Sequence, residues 1–283
     1  MRLRAPAGIA AIRFAACCLA WSAGAAAQAP ATRAIALAPH ITELIYAAGA
    51  GDKIVATVIS SDYPPAAQAI PRIGDGLHVS VEKALSFRPN LVVAWLPYGA
   101  AQALASSLSS LGVPLIYSRP EKLGDIPAEI IRFGKLFGTE AQAGAMAHTL
   151  TQRLDALGAR YAQKKPVSVF IEVGTSPLYT IGSDPLLNDA LQRCGGVNIY
   201  AAANVAAPQV SVENLLVKQP DVVITPAIAA GAQDDARQRW AGLKLPAALR
   251  GHVYAIDPDA LFRPGPRLID ATEQLCRYLD RAR

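Results

Sequence analysis

Nowhere in the 283-residue chain do more than two basic residues stand together, the longest run being Lys164-Lys165. The formal net charge of +5 falls to +2 once Arg2, Arg4 and Arg13 are set aside with an N-terminal segment that carries no acid. A nucleic-acid binder needs a concentrated basic face, so that class is excluded. Histidine is equally scarce. Of the four, His148 falls in a helical stretch and His252 opens a strand, so the set makes no ligand cluster and no bare-metal site is expected. Phosphate-binding and nucleophile loops are missing too. Gly49-Ala50-Gly51-Asp52-Lys53 has neither the spacing nor the hydroxyl residue of a P-loop, and neither Gly-x-Gly-x-x-Gly nor Gly-x-Ser-x-Gly occurs. Asp184 and the serines near Gly174 have no histidine close in sequence. No catalytic residue and no catalytic cofactor are therefore assigned. Past the N-terminus no apolar run approaches the roughly 20 residues that a membrane-spanning helix needs.

The first 27 residues combine Arg2, Arg4 and Arg13 with an apolar run from Phe14 to Trp21 and end in Ala25-Ala26-Ala27. This is the pattern of a secretory signal peptide cleaved after Ala27. A retained anchor is the alternative, but the second half of the uncharged stretch is mostly Ala, Ser and Gly. Lipid attachment at Cys17 or Cys18 is disfavoured, because Phe14-Ala15-Ala16 lacks the usual leucine. Cleavage leaves 256 residues, enough for one large or two small domains, and only Cys194 and Cys276. In an oxidising compartment two cysteines most simply form one disulfide, closing a loop of about 80 residues and contributing roughly 4 kcal/mol in the loop-entropy picture. Two buried free thiols are the alternative.

What the chain does contain is an internal repeat. Val79-Ser80-Val81-Glu82 opens a segment that ends in Pro89-Asn90-Leu91-Val92-Val93, and Val210-Ser211-Val212-Glu213 opens one that ends in Pro220-Asp221-Val222-Val223-Ile224. Seven of fifteen positions match without a gap, which implies two lobes of similar construction. Each copy predicts a helix capped by Ser80 or Ser211, stopped by proline, and followed by a buried strand. Continuous apolar strands alternating with helices predict parallel sheets covered on both faces. Strands are expected near 33–38, 53–58, 90–95 and 114–118, then near 167–173, 221–225 and 252–257. An N-terminal α/β lobe over 28–122 and a C-terminal one over 166–283 are joined by a helical linker, 123–165. Within the linker a helix from about Thr139 to Ala162 has capping-box spacing at Thr139 and Gln142 and an apolar stripe of Met146, Leu150, Leu154, Leu157 and Tyr161. One helix packed on both lobes predicts a stiff protein rather than a wide-opening clamp.

Ligands of open parallel sheets bind beyond the carboxyl ends of the strands. The chain has 18 aromatic residues, yet Tyr63, Tyr98, Tyr179 and Phe262 fall in the loops expected there, and Trp95 ends a strand beside one. Such side chains offer stiff apolar faces to a large flat ligand, with covering its own core as the alternative for each. The concentration of aromatics weighs against a purely structural or adhesive role, which predicts filled loops and no cleft. Arg263, among Phe262, Pro264, Gly265 and Pro266, is a candidate donor to ligand amides or a carboxylate, with an ion pair to Asp257 or Asp259 as the alternative. Glu82 and Glu213 occupy equivalent repeat positions. Both suit the positive end of a helix dipole, and as a matched pair they would also suit arginines on a symmetric partner.

These stretches resemble the periplasmic cobalamin-binding protein family, whose members feed an ABC importer. The resemblance runs from Ala34 to Tyr278. It is firmest at Ala38-Pro39, Thr42-Glu43-Leu44, Ser61-Asp62-Tyr63-Pro64-Pro65, Cys194-Gly195-Gly196-Val197-Asn198-Ile199 and Arg263 through Pro266-Arg267 to Cys276. It implies the class III periplasmic binding fold of two Rossmann-like lobes with parallel sheets joined by a spanning helix, acting as a monomer. It further implies that Tyr63, Tyr179 and Arg263 contact the corrinoid, that Glu82 and Glu213 dock onto permease arginines, and that Cys194 pairs with Cys276. Where the family sets a tryptophan from each lobe against the ligand, this chain has Gly76 and Ala207, which is expected to enlarge the cleft. Cobalamin is the leading ligand. A cobalamin variant, cobinamide, haem or a ferric siderophore would also fit. His40 and His78 lie near the expected cleft, where a neutral imidazole would coordinate a ligand's metal centre unless it serves only as a hydrogen-bonded loop residue.

Overall fold

The computed structural model describes residues 29–161 and 163–283. The signal segment, its cleavage point and Cys17 and Cys18 lie outside the described residues.

Four short strands build the first lobe: β1 (Ala34–Ala36), β2 (Ile54–Thr57), β3 (Leu91–Ala94) and β4 (Leu115–Tyr117), in the order β2-β1-β3-β4 and all parallel. Their side chains alternate between two dry environments. Ala34, Ala36, Leu91 and Val93 face the central core of the molecule, while Ile35, Val92 and Ala94 face an outer cluster with Leu104 and Leu108 of the helix Ala100–Ser110. Burial on both faces is why these strands read as unbroken apolar runs.

In the second lobe β5 (Val167–Thr175) is central, with β8 (Val222–Pro226) and β9 (Val253–Ile256) parallel beyond it. The other edge of β5 is shared. Its first half pairs with β7 (Gly196–Asn198) in parallel, and its second half pairs with β6 (Leu178–Thr180) antiparallel. The sequence predicts an all-parallel sheet, and the β5-β6 hairpin departs from it. β6 (Leu-Tyr-Thr) and β7 (Gly-Val-Asn) are short and, unlike the equally short β1 and β4, carry no unbroken apolar run, so neither announces itself.

The repeat is reproduced down to its caps. Ser80 Oγ accepts a hydrogen bond from the Lys83 amide at 3.2 Å, Ser211 Oγ accepts one from the Asn214 amide at 3.1 Å, and the helices they open are Val81–Ser86 and Val212–Lys218. Each unit then passes through a residue of positive φ just before its proline, Arg88 and Gln219, both at 45°. The disulfide joins Cys194, at the end of the helix Pro185–Arg193, to Cys276 in the helix Arg267–Arg281, and closes 82 residues within the second lobe.

A single helix, Glu140–Tyr161, runs between the lobes. Its buried positions are Ala143, Ala147, Leu150, Leu154, Leu157 and Tyr161, spaced alternately four and three residues apart. Met146, expected in that stripe, is instead exposed. The helix packs so closely on its predecessor, Asp125–Phe137, that a Cβ on Gly134 would lie 2.4 Å from that of Ala143. Leu150, Leu154, Leu157 and Tyr161 are buried as expected, and at the N-terminal end the small residues Ala143 and Ala147 take the place given to Met146. The capping box also does not form, since the buried Thr139 hydroxyl has no hydrogen-bond partner. Arg153 ties the helix to the second lobe through Asp270 at 2.5 Å and Glu273 at 2.7 Å. One apolar cluster runs from Ile41 and Leu44 of the first lobe through Phe133, Leu150 and Leu154 of the linking helices to Val169, Leu268 and Leu279 of the second. Opening the lobes widely would expose part of that shared core.

Candidate ligand-binding cleft

Two cavities lie beyond the strand ends. One, of about 350 Å³, separates the lobes: Trp95, Leu96 and Tyr98 form its first-lobe wall, with Arg119 and Glu121 at its edge, and Leu186, Leu187, Leu261 and Phe262 face them. The other, of about 340 Å³, runs back into the first lobe behind the same Trp95, Leu96 and Tyr98.

Local structure places each wall. Trp95 follows β3 directly, so the strand end fixes its position. Gly99, at φ 59°, turns the chain after Tyr98 into the helix Ala100–Ser110, a backbone conformation that favours glycine. Across the cleft, the Asp184 carboxylate accepts from the Leu187 amide at 2.8 Å and starts the helix that carries Leu186 and Leu187. The Asp257 carboxylate accepts from the Asp259 amide at 2.9 Å and starts the short helix Pro258–Leu261, which ends on Phe262. Trp95, Tyr98 and Phe262 are thus brought together on facing walls.

The other expected contacts are placed differently. Arg263 points away from the cavity into an ion cluster: one guanidinium nitrogen lies 2.7 Å from Asp62 and 3.7 Å from Glu43, and the other lies 2.7 Å from Asp259. The alternative pairing with Asp259 is therefore realised, together with an unforeseen bond to the opposite lobe. Arg267 grips Glu43 with two bonds, 2.7 Å and 3.0 Å, and covers the Tyr63 ring at 4.3 Å. Glu43 is only 3% exposed, and burial raises its pKa although both arginines pull it down. Asp62 is held below the usual carboxylate range by its hydrogen bond from Arg263. Tyr63 and Tyr179 are half-exposed and line neither cavity. Glu43, Asp62 and Arg267 were missed as a set, although each stands in a stretch on which the family resemblance rests.

Neither histidine faces a cavity. His78 is 88% exposed beside the Asp75 carboxylate, 3.4 Å away. His40 is buried in the helix Pro39–Ala47, its Nε2 3.4 Å from the Ser118 carbonyl and its ring edge-on to Trp95 at 5.2 Å. Its apolar surroundings leave it to support the cleft tryptophan from behind rather than to meet a ligand. Burial lowers its pKa to about 4, the positive charge of Arg263 acts in the same direction, and the Ser118 carbonyl opposes both. A depressed histidine pKa makes the unfolded chain bind more protons between pH 6.5 and 4, so stability falls as pH falls through that window. Wild type should lose about 3 kcal/mol there from this group, and urea unfolding of a His40→Phe chain should show a flatter slope. An unchanged slope would contradict the assignment.

Glu82 and Glu213 are exposed in the first turns of the two repeat helices. Glu213 is held below its usual range by its own backbone amide and then by Ser211. Gly76 lines the first-lobe cavity, and Ala207 is exposed next to Ala206, which lines the cleft. Among the described residues no group of three or more His, Cys, Asp or Glu is arranged to hold a metal ion, and no helix is long and apolar enough to cross a membrane.

Two α/β lobes, an aromatic-walled cleft at their strand ends and one helix bridging them define a class III solute-binding protein. The chain belongs to the periplasmic binding protein family, whose profile matches residues 35–260. It is 38% identical over 252 residues to a vitamin B12-binding protein of Vibrio cholerae, covering 88% of this chain and 90% of that one. It is equally similar to the crystal structure of the periplasmic vitamin B12 binding protein of Vibrio cholerae, with a TM-score of 0.79 over 89% of this chain and 98% of that one. A periplasmic heme-binding protein of Roseiflexus shares 26% identity and a TM-score of 0.75, over 89% of this chain and 99% of that one.

Proposed function

We propose that this protein is exported, with its signal cleaved after Ala27, binds a corrinoid, cobalamin foremost, between its lobes, and delivers it to an ABC importer without altering it. The observation that carries the reading is the cleft wall of Trp95, Tyr98 and Phe262, in a chain 38% identical to a vitamin B12-binding protein along most of its length. Aromatic faces suit the flanks of a corrin ring. Tyr63 and Tyr179, both half-exposed, contact the ring in this reading outside the cavity itself. In this reading Arg263 acts through the ion cluster, holding Phe262 and Pro264 against the first lobe, rather than on the ligand itself.

The test offers the purified protein equal amounts of cyanocobalamin, dicyanocobinamide, hemin and a ferric hydroxamate, then identifies by visible absorbance what remains bound after gel filtration. Retention of the corrinoids, unchanged on recovery, is expected. Retention of hemin or the siderophore alone overturns the corrinoid reading. Haem is the second reading, favoured by the Tyr98 phenol on both cavity walls, a residue type able to ligate haem iron.

Glu82 and Glu213, matched by the repeat and free of the cleft, are the docking points for paired permease arginines. Reversing both charges (Glu82→Lys with Glu213→Lys) should leave cobalamin affinity within about twofold and abolish uptake in cells. Normal uptake by the double variant sinks the docking role.

A further inference from the structure

The described chain starts at the base of the first lobe, at the strand ends opposite the cleft. Ala29 is its first residue, and those that follow are tied down at once. The Ala31 amide donates to the Leu136 carbonyl at 2.8 Å, and the Thr32 and Arg33 amides donate to the Asn90 side-chain oxygen at 3.2 Å and 3.0 Å. Pro30 packs over Gly138, where a Cβ would lie 3.2 Å from the proline ring. Beside this segment, where β3 and β4 begin, is a recess of about 100 Å³. Ala31, Leu91, Pro114, Ile116 and Leu136 make it apolar, Ala29 also lines it, and Asn90 supplies its one polar side chain. None of the lining side chains is charged. The Asn90 amide nitrogen donates one hydrogen to the Thr32 hydroxyl at 3.2 Å and has a second to offer.

Cleavage after Ala27 makes Gln28 the new N-terminal residue, one position before Ala29 and just outside the described residues. We propose that Gln28 cyclises to pyroglutamate and that its lactam ring occupies this recess, an inference that rests on the cleavage reading given above. An α-amino group has a pKa of about 8, so part of it is the uncharged nucleophile at neutral pH. Its nitrogen attacks the carboxamide carbon of its own side chain. The lactam C–N bond forms, the bond to the amide nitrogen breaks, and that nitrogen takes the proton the amine sheds and leaves as ammonia. The product suits the recess better than the precursor does. An ammonium group would lie against apolar walls with no carboxylate among the lining side chains, an unfavourable place for a charge. The lactam carries no charge, buries its methylene groups, and has a carbonyl to accept from Asn90. Because the recess lies at the far end of the strands from the ligand, the cyclised terminus leaves the cleft unchanged and shields the first residues from aminopeptidases.

The experiment expresses the whole precursor, recovers the exported protein and measures its intact mass. Pyroglutamyl aminopeptidase is then applied to the native protein and to the same chain reduced, alkylated and unfolded. The mass of residues 28–283 with the disulfide, less one ammonia, is expected for most chains, and a Gln28→Ser chain should keep a free amine. Unblocking should run at least tenfold slower in the native protein than in the unfolded chain. Ala31→Leu, which fills the recess, should remove most of that protection. A chain that begins at Gln28 and retains its ammonia overturns the cyclisation while the cleavage reading stands. Equal unblocking rates, or protection that survives in a folded Ala31→Leu chain, overturn the occupied recess. A chain that begins elsewhere or keeps its first 27 residues overturns the cleavage reading and the inference with it.

Discussion

Removing the disulfide by a Cys194→Ser, Cys276→Ser double replacement is expected to lower unfolding free energy by about 4 kcal/mol. The bond closes 82 residues, and the loop-entropy relation gives a cost of that size for freeing such a loop in the unfolded chain. Both sulfurs are fully buried, between the helix Arg267–Arg281 and the end of the helix Pro185–Arg193, so polar replacements add to the loss. The effect should be confined to stability. The bond lies within the second lobe and lines neither cavity, so cobalamin affinity of the folded fraction should stay within about twofold. Urea denaturation at pH 7 measures the first quantity. A loss under about 1 kcal/mol would mean that the unfolded chain stays compact without the bond.

The second large effect lies at the lobe interface. Arg267→Met leaves the Glu43 carboxylate buried opposite Arg263 alone, whose nearest approach is 3.7 Å. Breaking a buried pair by removing one partner costs about 3 to 5 kcal/mol, because the remaining charge is desolvated without compensation. Glu43 already has a pKa raised by burial, and losing Arg267 raises it further. A carboxyl whose folded pKa exceeds its unfolded one loses stability as pH rises from the unfolded value through the folded one. The variant should therefore lie furthest below wild type at pH 7 and recover part of the difference at pH 5. His40 contributes an opposite slope in that range, but it does so in both chains and cancels in the difference. The joint replacement Glu43→Leu with Arg267→Met removes both charges and should recover most of the loss. A single variant as stable as wild type at pH 7 would show that water reaches Glu43 and that the cluster does not hold the lobes.

The contrast between this cluster and the repeat shows what the sequence made legible. The two Val-Ser-Val-Glu units carry their own caps, stops and buried strands within fifteen residues, so local rules suffice. The same holds for Trp95, Tyr98 and Phe262, which reach the cleft because strand ends put them there. Glu43 and Arg267 lie 224 residues apart and meet only when the lobes pack, information that no local pattern carries. Arg263 was legible as a constrained arginine, but its partner Asp62 belongs to the other lobe. His40 drew attention as a polar residue beside the cleft. The next turn of its helix, Ile41, Leu44 and Ile45, is buried around it, and that fixes its ring inside. Met146 and the β5-β6 hairpin were misread for a different reason: alanine–glycine contact and three-residue strands leave weak periodic signals.

Stiffness follows from the same architecture. With a core shared across the helix Glu140–Tyr161 and ion pairs crossing the interface from Arg267 to Glu43 and from Arg263 to Asp62 and Glu43, the cleft is largely formed before a ligand arrives. Little of the binding free energy is then consumed in ordering the site.

The central claim is that a corrinoid is held in this cleft by its aromatic wall. Calorimetric titration of the purified protein with cyanocobalamin, beside a Trp95→Ala variant, tests it most directly. The account gives one cobalamin per chain, with at least a tenfold loss of affinity in the variant. Absence of binding by the native chain, or equal affinity in both, would contradict it.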